Sequence, residues 1–269
     1  MLNCKKIAII LFLFFIGKVN SKNHWNRIPR SNTNFDVLIF TQHWPQTVCY
    51  TWKEDSISNT CSLPKEHNEW TIHGIWPSRY YDIGPQFCNK LSFNSTALEP
   101  LKEKLQEKWI DIKKGRTSYS FWQHEWDKHG TCAVVLEPLN TENKYFAKGL
   151  ELLSNYDMKN VLAKANITPG QIYNKTDILN AIEKQLNKQG ILICHENKHT
   201  GESYIFEIRI CFNKTLELIN CTNIYEYPTN CKSESIIYPE KVPHNTSTII
   251  NNNIIINFIF IFVLFYKYI

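Results

Sequence analysis

Stretches of β-branched and aromatic residues flank a central region whose apolar residues have helical spacing. The predicted strands are Phe35–Trp44, Glu69–Trp76, Gly190–His195 and Glu202–Phe212. The predicted helices are Leu98–Trp109, Tyr145–Lys164 and Thr176–Gln189. Asp157 is a good N-cap at which the second helix can restart. Strands on both sides of grouped helices favour an α+β fold, with an antiparallel sheet and segregated helices, over a doubly wound parallel sheet.

The composition is that of a folded globular protein. Of 269 residues, 43% are hydrophobic, and 9 glycines and 11 prolines are too few for a collagen-like or low-complexity chain. Disordered, fibrous and polytopic membrane proteins are therefore excluded. The net charge of +5 is modest, so anion binding must depend on a local site rather than on the whole surface.

The N-terminal segment differs from the region that follows it. Residues 1–21 have the features of a secretory signal peptide, because two lysines precede the apolar run Ile7–Ile16 and Ser21 ends a small-residue cleavage site. A membrane-spanning helix needs ~20 apolar residues, about twice the length of this run. Residues 22–247 contain no linker, charge block or internal repeat, which predicts one domain.

Residues 248–269 form a hydrophobic tail that is interrupted by asparagines. A GPI signal requires small residues, a polar spacer of ~8–12 residues and a hydrophobic tail of ~10–20. Asn245-Thr-Ser247 can supply the small site and Ile254–Ile269 the hydrophobic part. A GPI anchor, a membrane-spanning or trimmed tail, and an unprocessed secreted end stay open, so membrane attachment is one of three expectations.

Cysteine and sequon usage also indicate the secretory pathway. Removal of Cys4 with the signal peptide leaves eight cysteines, an even number that implies four disulfides but does not choose their connectivity. The sequence has no C-x-x-C pair, which argues against a zinc ribbon. Sequons for N-linked glycans occur at Asn94, Asn166, Asn174, Asn213, Asn220 and Asn245.

Two segments are rich in ionisable and aromatic residues. The first is Trp70–Ser78, with His73, and the second is Phe121–Cys132, with His124, Glu125, Lys128 and His129. On an α-helix, residues four apart share a face, which would place Glu125 beside His129 and His124 beside Lys128. Gly130 is expected to end this helix. One short segment would then present a carboxylate, an ammonium group and two imidazoles to a single cleft.

This set of residues fits the cleavage of a ribose phosphodiester. Two histidines with pKa values near neutrality can act as base and acid in one step. A neighbouring lysine can stabilise the negative charge that grows on the phosphate in the transition state. One imidazole would take the proton of the 2′-hydroxyl, and the other would protonate the leaving 5′-oxygen. The reaction requires no metal ion, and no cofactor is expected.

Three other interpretations fit less well. A zinc protease site requires H-E-x-x-H, whereas His124 and His129 are five positions apart and Lys128 stands where the second ligand would be. A serine hydrolase would have G-x-S-x-G, which the sequence lacks. Ordinary core aromatics with surface charges do not explain five ionisable residues within six positions. The remaining histidines are expected to be structural or superficial: His24, His43, His67, His195, His199 and His244.

The two segments resemble the active-site segments of the ribonuclease T2 family. The matching motifs are HGIWP, which begins at His73, and HEWDKHGTC, which begins at His124, and they occur in the family's order. Gln42–Cys49 is similar to the family's first strand, especially in its animal members. Weaker similarity continues through Tyr145-Phe146, Asn220-Cys221 and Tyr238-Pro239 and ends at the tail. The resemblance implies an α+β fold and an endoribonuclease that acts on RNA.

The resemblance also implies catalytic roles. His129 would be the general base and His73 the general acid. Glu125 and Lys128 would stabilise the pentacovalent phosphate. Glu125 would also orient His129, and His124 would bind phosphate. The expected product is a 2′,3′-cyclic phosphate.

Base recognition is implied at three further positions. Trp76 would stack on one base, while Gln42 and Phe121 would line a second base site. Because every base can stack on an aromatic ring, low base specificity is expected. Many family members have an acidic residue directly after the Trp-Pro of the first segment, where this chain has Ser78. A hydroxyl has no charge, so this difference affects base preference rather than catalysis.

The disulfide pairing that the resemblance implies is Cys49–Cys61, Cys88–Cys132, Cys194–Cys231 and Cys211–Cys221. The sequence thus predicts a secreted, glycosylated and monomeric endoribonuclease, with an endolysosomal or surface-anchored pool as an alternative location. The second hypothesis is a protein of this fold that only binds RNA or a receptor, and the intact catalytic set argues against it. Six sequons permit recognition by glycan-binding receptors without demonstrating it.

Overall fold

The computed structural model describes residues 33–115 and 117–244, in which seven strands form one sheet. The strands are β1 (Val37–His43), β2 (Thr71–Ser78), β3 (Gln171–Asn174), β4 (Ile191–Glu196), β5 (Ser203–Phe212), β6 (Leu218–Ile219) and β7 (Ser235–Tyr238). The order across the sheet is β2, β1, β5, β7, β3, and β4 and β6 also pair with β5. The predicted signal peptide 1–21, Asn245 and the tail 248–269 lie outside the described residues.

One strand pair departs from the antiparallel arrangement. β5 and β7 run parallel where Ser203 pairs with Ile236, whereas the other pairs of named strands are antiparallel. A parallel pair requires a long connection, and residues 213–234 supply one. The predicted α+β class is confirmed, and the sheet is antiparallel except at this contact.

The helices lie mainly in the middle of the chain. They are α1 (Pro45–Asp55), α2 (Lys102–Lys108), α3 (Ser118–Glu125), α4 (Thr131–Ala133), α5 (Glu142–Asn155), α6 (Met158–Ala163) and α7 (Lys175–Leu186). Short 3₁₀ helices cover Ser95–Leu101 and Glu137–Leu139, and a π-helical turn covers Trp126–Gly130. In the part of the chain that the structure describes, no helix is long and apolar enough to cross a bilayer.

Proline and N-cap residues explain where the observed helices differ from the predicted helices and where they match them. The single helix predicted over Leu98–Trp109 is a 3₁₀ helix followed by α2, because Pro100 has no N–H and crowds the preceding turn. The restart predicted at Asp157 is present, since its side chain accepts a hydrogen bond from the N–H of Lys159 at the start of α6. The hydrophobic pattern did not predict α1, for which Pro45 in the first turn is the local signal.

The sheet has a hydrophobic cluster on each face. Phe40, Ile75 and Ile210 are neighbours on β1, β2 and β5, and they belong to the main core together with Tyr145 and Phe146 of α5. A smaller cluster on the other face comprises Val37, Ile39, Ile191, Ile193, Cys211, Cys221 and Ile224. Strand positions that point away from the main core are therefore covered as well, instead of facing open solvent.

The structure contains the four expected disulfides, Cys49–Cys61, Cys88–Cys132, Cys194–Cys231 and Cys211–Cys221. The second of these joins the loop after β2 to α4, directly behind the second histidine segment. The fourth closes the turn that follows β5. Cys211 and Cys221 of this fourth disulfide belong to the smaller cluster.

Candidate active site

A β-bulge positions His73. Thr41 of β1 pairs with Gly74 and Gln42 pairs with Ile72, so the register shift leaves His73 as an additional residue on β2. A bulge bends its strand and redirects the side chain of the extra residue. The carbonyl oxygen of His73 accepts a hydrogen bond of 2.9 Å from Trp109 Nε1, which fixes the backbone at this point.

Two carboxylates face the imidazole of His73. Its Nδ1 is 2.6 Å from Oε1 of Glu207, and its Nε2 is 3.9 Å from Oε1 of Glu125. Burial by itself would lower the pKa of His73, and Arg209 acts in the same direction. The two carboxylates outweigh these effects, so the pKa of His73 is raised above its ordinary value. The ring therefore favours the protonated state, in which it can donate a proton.

Glu207 and Arg209 of β5 form a buried ion pair at this site. Nε and Nη2 of Arg209 donate hydrogen bonds to Oε2 of Glu207, at 3.1 and 2.8 Å. Nη1 of Arg209 donates to Oε2 of Glu226 at 2.7 Å, and the guanidinium lies 5.4 Å from the ring centre of Trp76. Burial would raise the pKa of Glu207, but His73 and Arg209 lower it to about 2.

Sequence reasoning missed Glu207 and Arg209. Along β5 they alternate with Phe206, Ile208 and Ile210, a pattern that normally places the polar residues in solvent. Glu207 is nevertheless only 2% exposed, because the face it occupies is covered by the site and by the smaller cluster. The available signal was the pairing of opposite charges two positions apart on a strand that is otherwise apolar.

The second histidine segment contains a π-helical turn instead of a helix end. α3 leads directly into Trp126–Gly130, and α4 follows without a break, so the expectation that Gly130 ends the helix is wrong. A Cβ atom on Gly130 would lie 2.3 Å from Cε3 of Trp126. Glycine is required here for the close approach of the Trp126 ring. Single π turns inside helices occur frequently at functional sites.

Glu125 faces Trp76 and His73. Its Oε2 accepts a hydrogen bond of 3.0 Å from Trp76 Nε1. The described contacts thus link it to the first histidine segment, and the expected orientation of His129 by Glu125 is not found, because the helix widens between these two residues. Burial raises the pKa of Glu125, although His73, the Trp76 hydrogen bond and Lys128 oppose this effect.

His129 has an environment opposite to that of His73. Burial lowers its pKa well below the ordinary value, and the charges of Lys128, His73 and His124 lower it further. Its ring centre lies 5.3 Å from that of Trp76. Its Nδ1 is buried and has no hydrogen-bond partner among the described residues. The ring therefore favours the neutral state, in which it can accept a proton.

The other expected site residues lie around the two imidazoles. The ring centres of Phe121 and Trp76 are 6.1 and 4.9 Å from that of His73. Lys128 is half-buried, and its carbonyl oxygen accepts a hydrogen bond from the N–H of Phe87 at 3.0 Å. His124 is exposed at the surface of α3. All of these belong to, or directly contact, the two predicted segments.

Gln42 is the exception. Its side chain is fully buried, its Nε2 donates to the carbonyl oxygen of Tyr156 at 2.7 Å, and its Oε1 accepts from the N–H of Met158 at 3.1 Å. Both polar atoms join β1 to the turn between α5 and α6, and the side chain is 0% exposed, so Gln42 does not face a base at the surface. This position argues against the predicted role in base binding and assigns Gln42 to the support of the fold.

A small pocket lies beside the imidazole of His129. Its volume is about 110 Å³, and its lining includes Ile39, Trp76, Ser78, His129, Arg209 and Tyr225. Ser78 is 7% exposed, so it belongs to the wall of the pocket rather than to the outer surface. Across residues 33–115 and 117–244, no group of three or more histidine, cysteine or acidic side chains is arranged to hold a metal ion.

Comparison with known sequences identifies the family. The model of the ribonuclease T2 family matches residues 35–221. Ribonuclease Oy of Magallana gigas is 33% identical over 214 residues, which are 77% of this chain and 97% of that protein. Ribonuclease T2 of Homo sapiens is 34% identical over 205 residues, which are 74% of this chain and 75% of that protein.

Solved structures give the same result. The crystal structure of human RNase T2 matches with a TM-score of 0.65 and 32% identity, over 77% of this chain and 99% of that one. A crystal structure of an RNase MC1 mutant in complex with 5′-UMP also has a TM-score of 0.65, with 26% identity over 76% of this chain and 99% of that one. This chain therefore belongs to the ribonuclease T2 family and is an endoribonuclease of the T2 type, with RNA as its substrate.

Proposed function

We propose that the protein cleaves single-stranded RNA by two-histidine acid–base catalysis through a 2′,3′-cyclic phosphate. The observation that carries this proposal is that both imidazoles lie against one indole, that of Trp76, with ring centres 4.9 and 5.3 Å from it, in opposite electrostatic surroundings. The pKa of His73 is raised and that of His129 is lowered. Paired groups whose environments separate their pKa values are the acid and the base of many enzymes.

The proposed reaction is a transesterification at phosphorus. Neutral His129 takes the proton of the ribose 2′-hydroxyl while that oxygen forms a bond to phosphorus. The bond from phosphorus to the 5′-oxygen breaks, and protonated His73 gives its proton to this leaving oxygen. The products are a 2′,3′-cyclic phosphate and a 5′-hydroxyl, and no metal ion is needed for this exchange of protons.

Charge stabilisation falls to residues of the second histidine segment. Lys128 supplies a cation for the oxygens of the pentacovalent phosphate, and His124 supplies a further imidazole at the surface. Glu125 lies 3.9 Å from Nε2 of His73, beside the same phosphate, and contributes to the stabilisation of its oxygens. The pocket beside Trp76 and Ser78 takes a base, and the uncharged hydroxyl there suits low base specificity.

The cellular setting is part of the proposal. Four disulfides require an oxidising compartment, which supports secretion or delivery to an endolysosomal lumen. Asn94, Asn166, Asn174 and Asn220 are exposed, and exposed sequons fit N-glycosylation. We propose a monomer whose tail is removed, anchored or left free. Mass spectrometry of the mature ends and of the glycopeptides distinguishes these forms.

One assay tests the catalytic proposal. The protein is incubated with single-stranded RNA in EDTA, and the ends of the products are analysed. Cyclic phosphate ends that form in chelator support the mechanism. Intact RNA that remains bound would indicate the alternative of a binding protein. Activity lost with chelator and restored by a divalent metal would contradict the metal-independent step.

A further inference from the structure

We propose that Glu207 is a positioning residue for the reaction, which orients His73 and directs its Nε2 proton toward the leaving oxygen. Arg209 keeps Glu207 in place. This inference rests on the proposed function, in which His73 is the general acid. Neither residue belongs to the two histidine segments, since both come from β5, more than 70 residues further along the chain.

The position of Glu207 is built into the sheet. It pairs with His43 of β1, and β1 is also the strand opposite which His73 bulges out of β2. The hydrogen bond between Glu207 and His73 therefore crosses from β5 over β1 to β2. A buried carboxylate is costly unless it is paired, and this one is 2% exposed. Its two partners, His73 and Arg209, supply that pairing.

The two oxygens of Glu207 have separate partners. Oε2 accepts both hydrogen bonds from Arg209, which leaves Oε1 for Nδ1 of His73 at 2.6 Å. Arg209 is in turn held by Glu226 and lies over the ring of Trp76. A carboxylate with one oxygen fixed twice cannot rotate freely, so the direction of its second oxygen is set before substrate binds.

This arrangement selects one tautomer of His73. A carboxylate accepts hydrogen bonds, so Nδ1 must carry a hydrogen, and the transferable proton of the charged ring is then the one on Nε2. Nε2 points to the side of Glu125, at 3.9 Å, where the Trp76 indole also lies. The histidine is thereby aimed at the space between the two predicted segments.

Titratable groups from four elements surround the ring of His73. Glu207 and Arg209 belong to β5, and Glu125 to α3. His43 of β1 has its ring centre 5.2 Å away, and burial lowers its pKa to about 3, which keeps it neutral. On the side of the π-helical turn, the charge of His73 itself acts on His129. Within this set, Glu207 is the carboxylate with direct hydrogen-bond contact to His73.

The test is a comparison of leaving groups with Glu207→Gln. Uridylyl-3′,5′-adenosine releases an alkoxide that needs a proton, whereas uridine 3′-(4-nitrophenyl phosphate) releases a nitrophenolate that leaves without one. We expect kcat on the dinucleotide to fall about 10- to 100-fold, the size of effect known for hydrogen-bond partners that orient metal-bound histidines. On the nitrophenyl ester the loss should be within about threefold, because weakened general-acid catalysis no longer limits the rate.

The pH profile gives a second readout. Without the carboxylate at Nδ1, the pKa of His73 falls, so the alkaline limb of kcat should move to lower pH. Glu217→Gln is the matched control, since Glu217 is an exposed carboxylate after β5 that bonds only Asn213 and Thr215 among the described side chains. It should leave both substrates and the pH profile unchanged. A merely structural defect in Glu207→Gln would reduce both substrates equally and leave the alkaline limb in place.

His73→Ala separates this inference from the proposed function. If His73→Ala loses activity equally on both substrates, His73 is not the general acid and the proposed function is wrong. The other case is that His73→Ala retains activity on the nitrophenyl ester. If Glu207→Gln then loses both activities equally, or loses neither, only the role of Glu207 is overturned. Should Glu207→Gln fail to fold, Glu207→Asp withdraws the carboxylate by one methylene. It should give a smaller loss with the same preference for the activated ester, and an equal loss on both substrates would refute the role.

Discussion

The two imidazoles of the site are held by different structures and have opposite environments. His73 stands on a bulged strand, where carboxylates from β5 and α3 face it and its pKa is raised. His129 stands in a π-helical turn, where it is buried beside Lys128 and its pKa is lowered. Another strand of the same sheet can present a carboxylate directly to an imidazole, whereas a single helical turn crowds the imidazole against residues of its own segment. The scaffold thus sets the opposite pKa shifts on which the proposed roles of acid and base depend.

The largest effects are expected from removal of either imidazole. His73→Ala and His129→Ala should each reduce kcat by ~10²–10⁴-fold, which is the usual contribution of general acid–base catalysis. Because acid and base act in the same displacement, the double variant should lose much less than the product of the two effects. RNA cleavage rates at a fixed pH measure this. Near-native rates in either single variant would contradict the assignment.

Gly74 of β2 lies close to Glu125 of α3, so its substitution affects both histidine segments and should have the next largest effect. A Cβ atom at this position would lie 2.2 Å from Oε2 of Glu125 and 2.3 Å from Nε1 of Trp76. Gly74→Ala must therefore separate the carboxylate from the indole. Activity should fall by about tenfold or more, with a loss of roughly 1–3 kcal/mol in the free energy of unfolding, as for other overpacked sites.

A control sets the scale for this substitution. Gly115→Ala places a Cβ atom that has no atom of the described residues within 4 Å beyond its own chain neighbours, although its φ of +108° adds backbone strain. It should lower stability without a comparable loss of kcat. Equal activity in Gly74→Ala and the wild type would mean that the contact between Glu125 and Trp76 has no part in catalysis.

The residues of the site could largely be predicted from the sequence, but the structural causes of the opposite environments of His73 and His129 could not. Both imidazoles, Glu125 and the disulfide pairing follow from local motifs and from resemblance. The bulge at His73 depends on the register with β1, which no short motif records. The role of Gly130 depends on a contact with the Trp126 ring, so its sequence position alone suggested a helix end.

The ion pair of Glu207 and Arg209 escaped prediction for a related reason. Alternation along β5 assigns these residues to the face away from the main core, but alternation cannot say whether that face is covered. Trp76 and Glu226 cover it, and neither belongs to β5. The sequence of the strand alone therefore does not show these contacts. Long-range packing therefore decides which polar residues of a strand become buried beside the site.

The pH profile sharpens the comparison through Lys128. Its charge lowers the pKa of His129, so Lys128→Gln should raise that pKa and move the acidic limb of kcat/KM to higher pH. The pKa of His73 depends on carboxylates from other elements, so the alkaline limb should stay nearly in place. Lys144→Gln, which removes an exposed lysine paired with Glu137, is the matched control and should move neither limb. A shift of both limbs by the same amount would show that the two imidazoles are not independently set.

The smallest effect is the opposite pH dependence of stability on the two sides. The folded-state pKa of His73 is raised, so its stabilisation is complete below the unfolded-state pKa and is lost as pH rises through the folded-state pKa. The folded-state pKa of His129 is lowered, so burying its neutral ring destabilises the fold increasingly as pH falls below the unfolded-state pKa. As pH falls from ~8 to ~5, the loss in free energy of unfolding that His73→Asn causes should therefore grow. The loss that His129→Asn causes should shrink. Each change should be on the order of 1 kcal/mol per unit of difference between the folded-state and unfolded-state pKa. Denaturant unfolding at several pH values measures both slopes. Slopes of the same sign would mean that strand and helix place their histidines in the same environment.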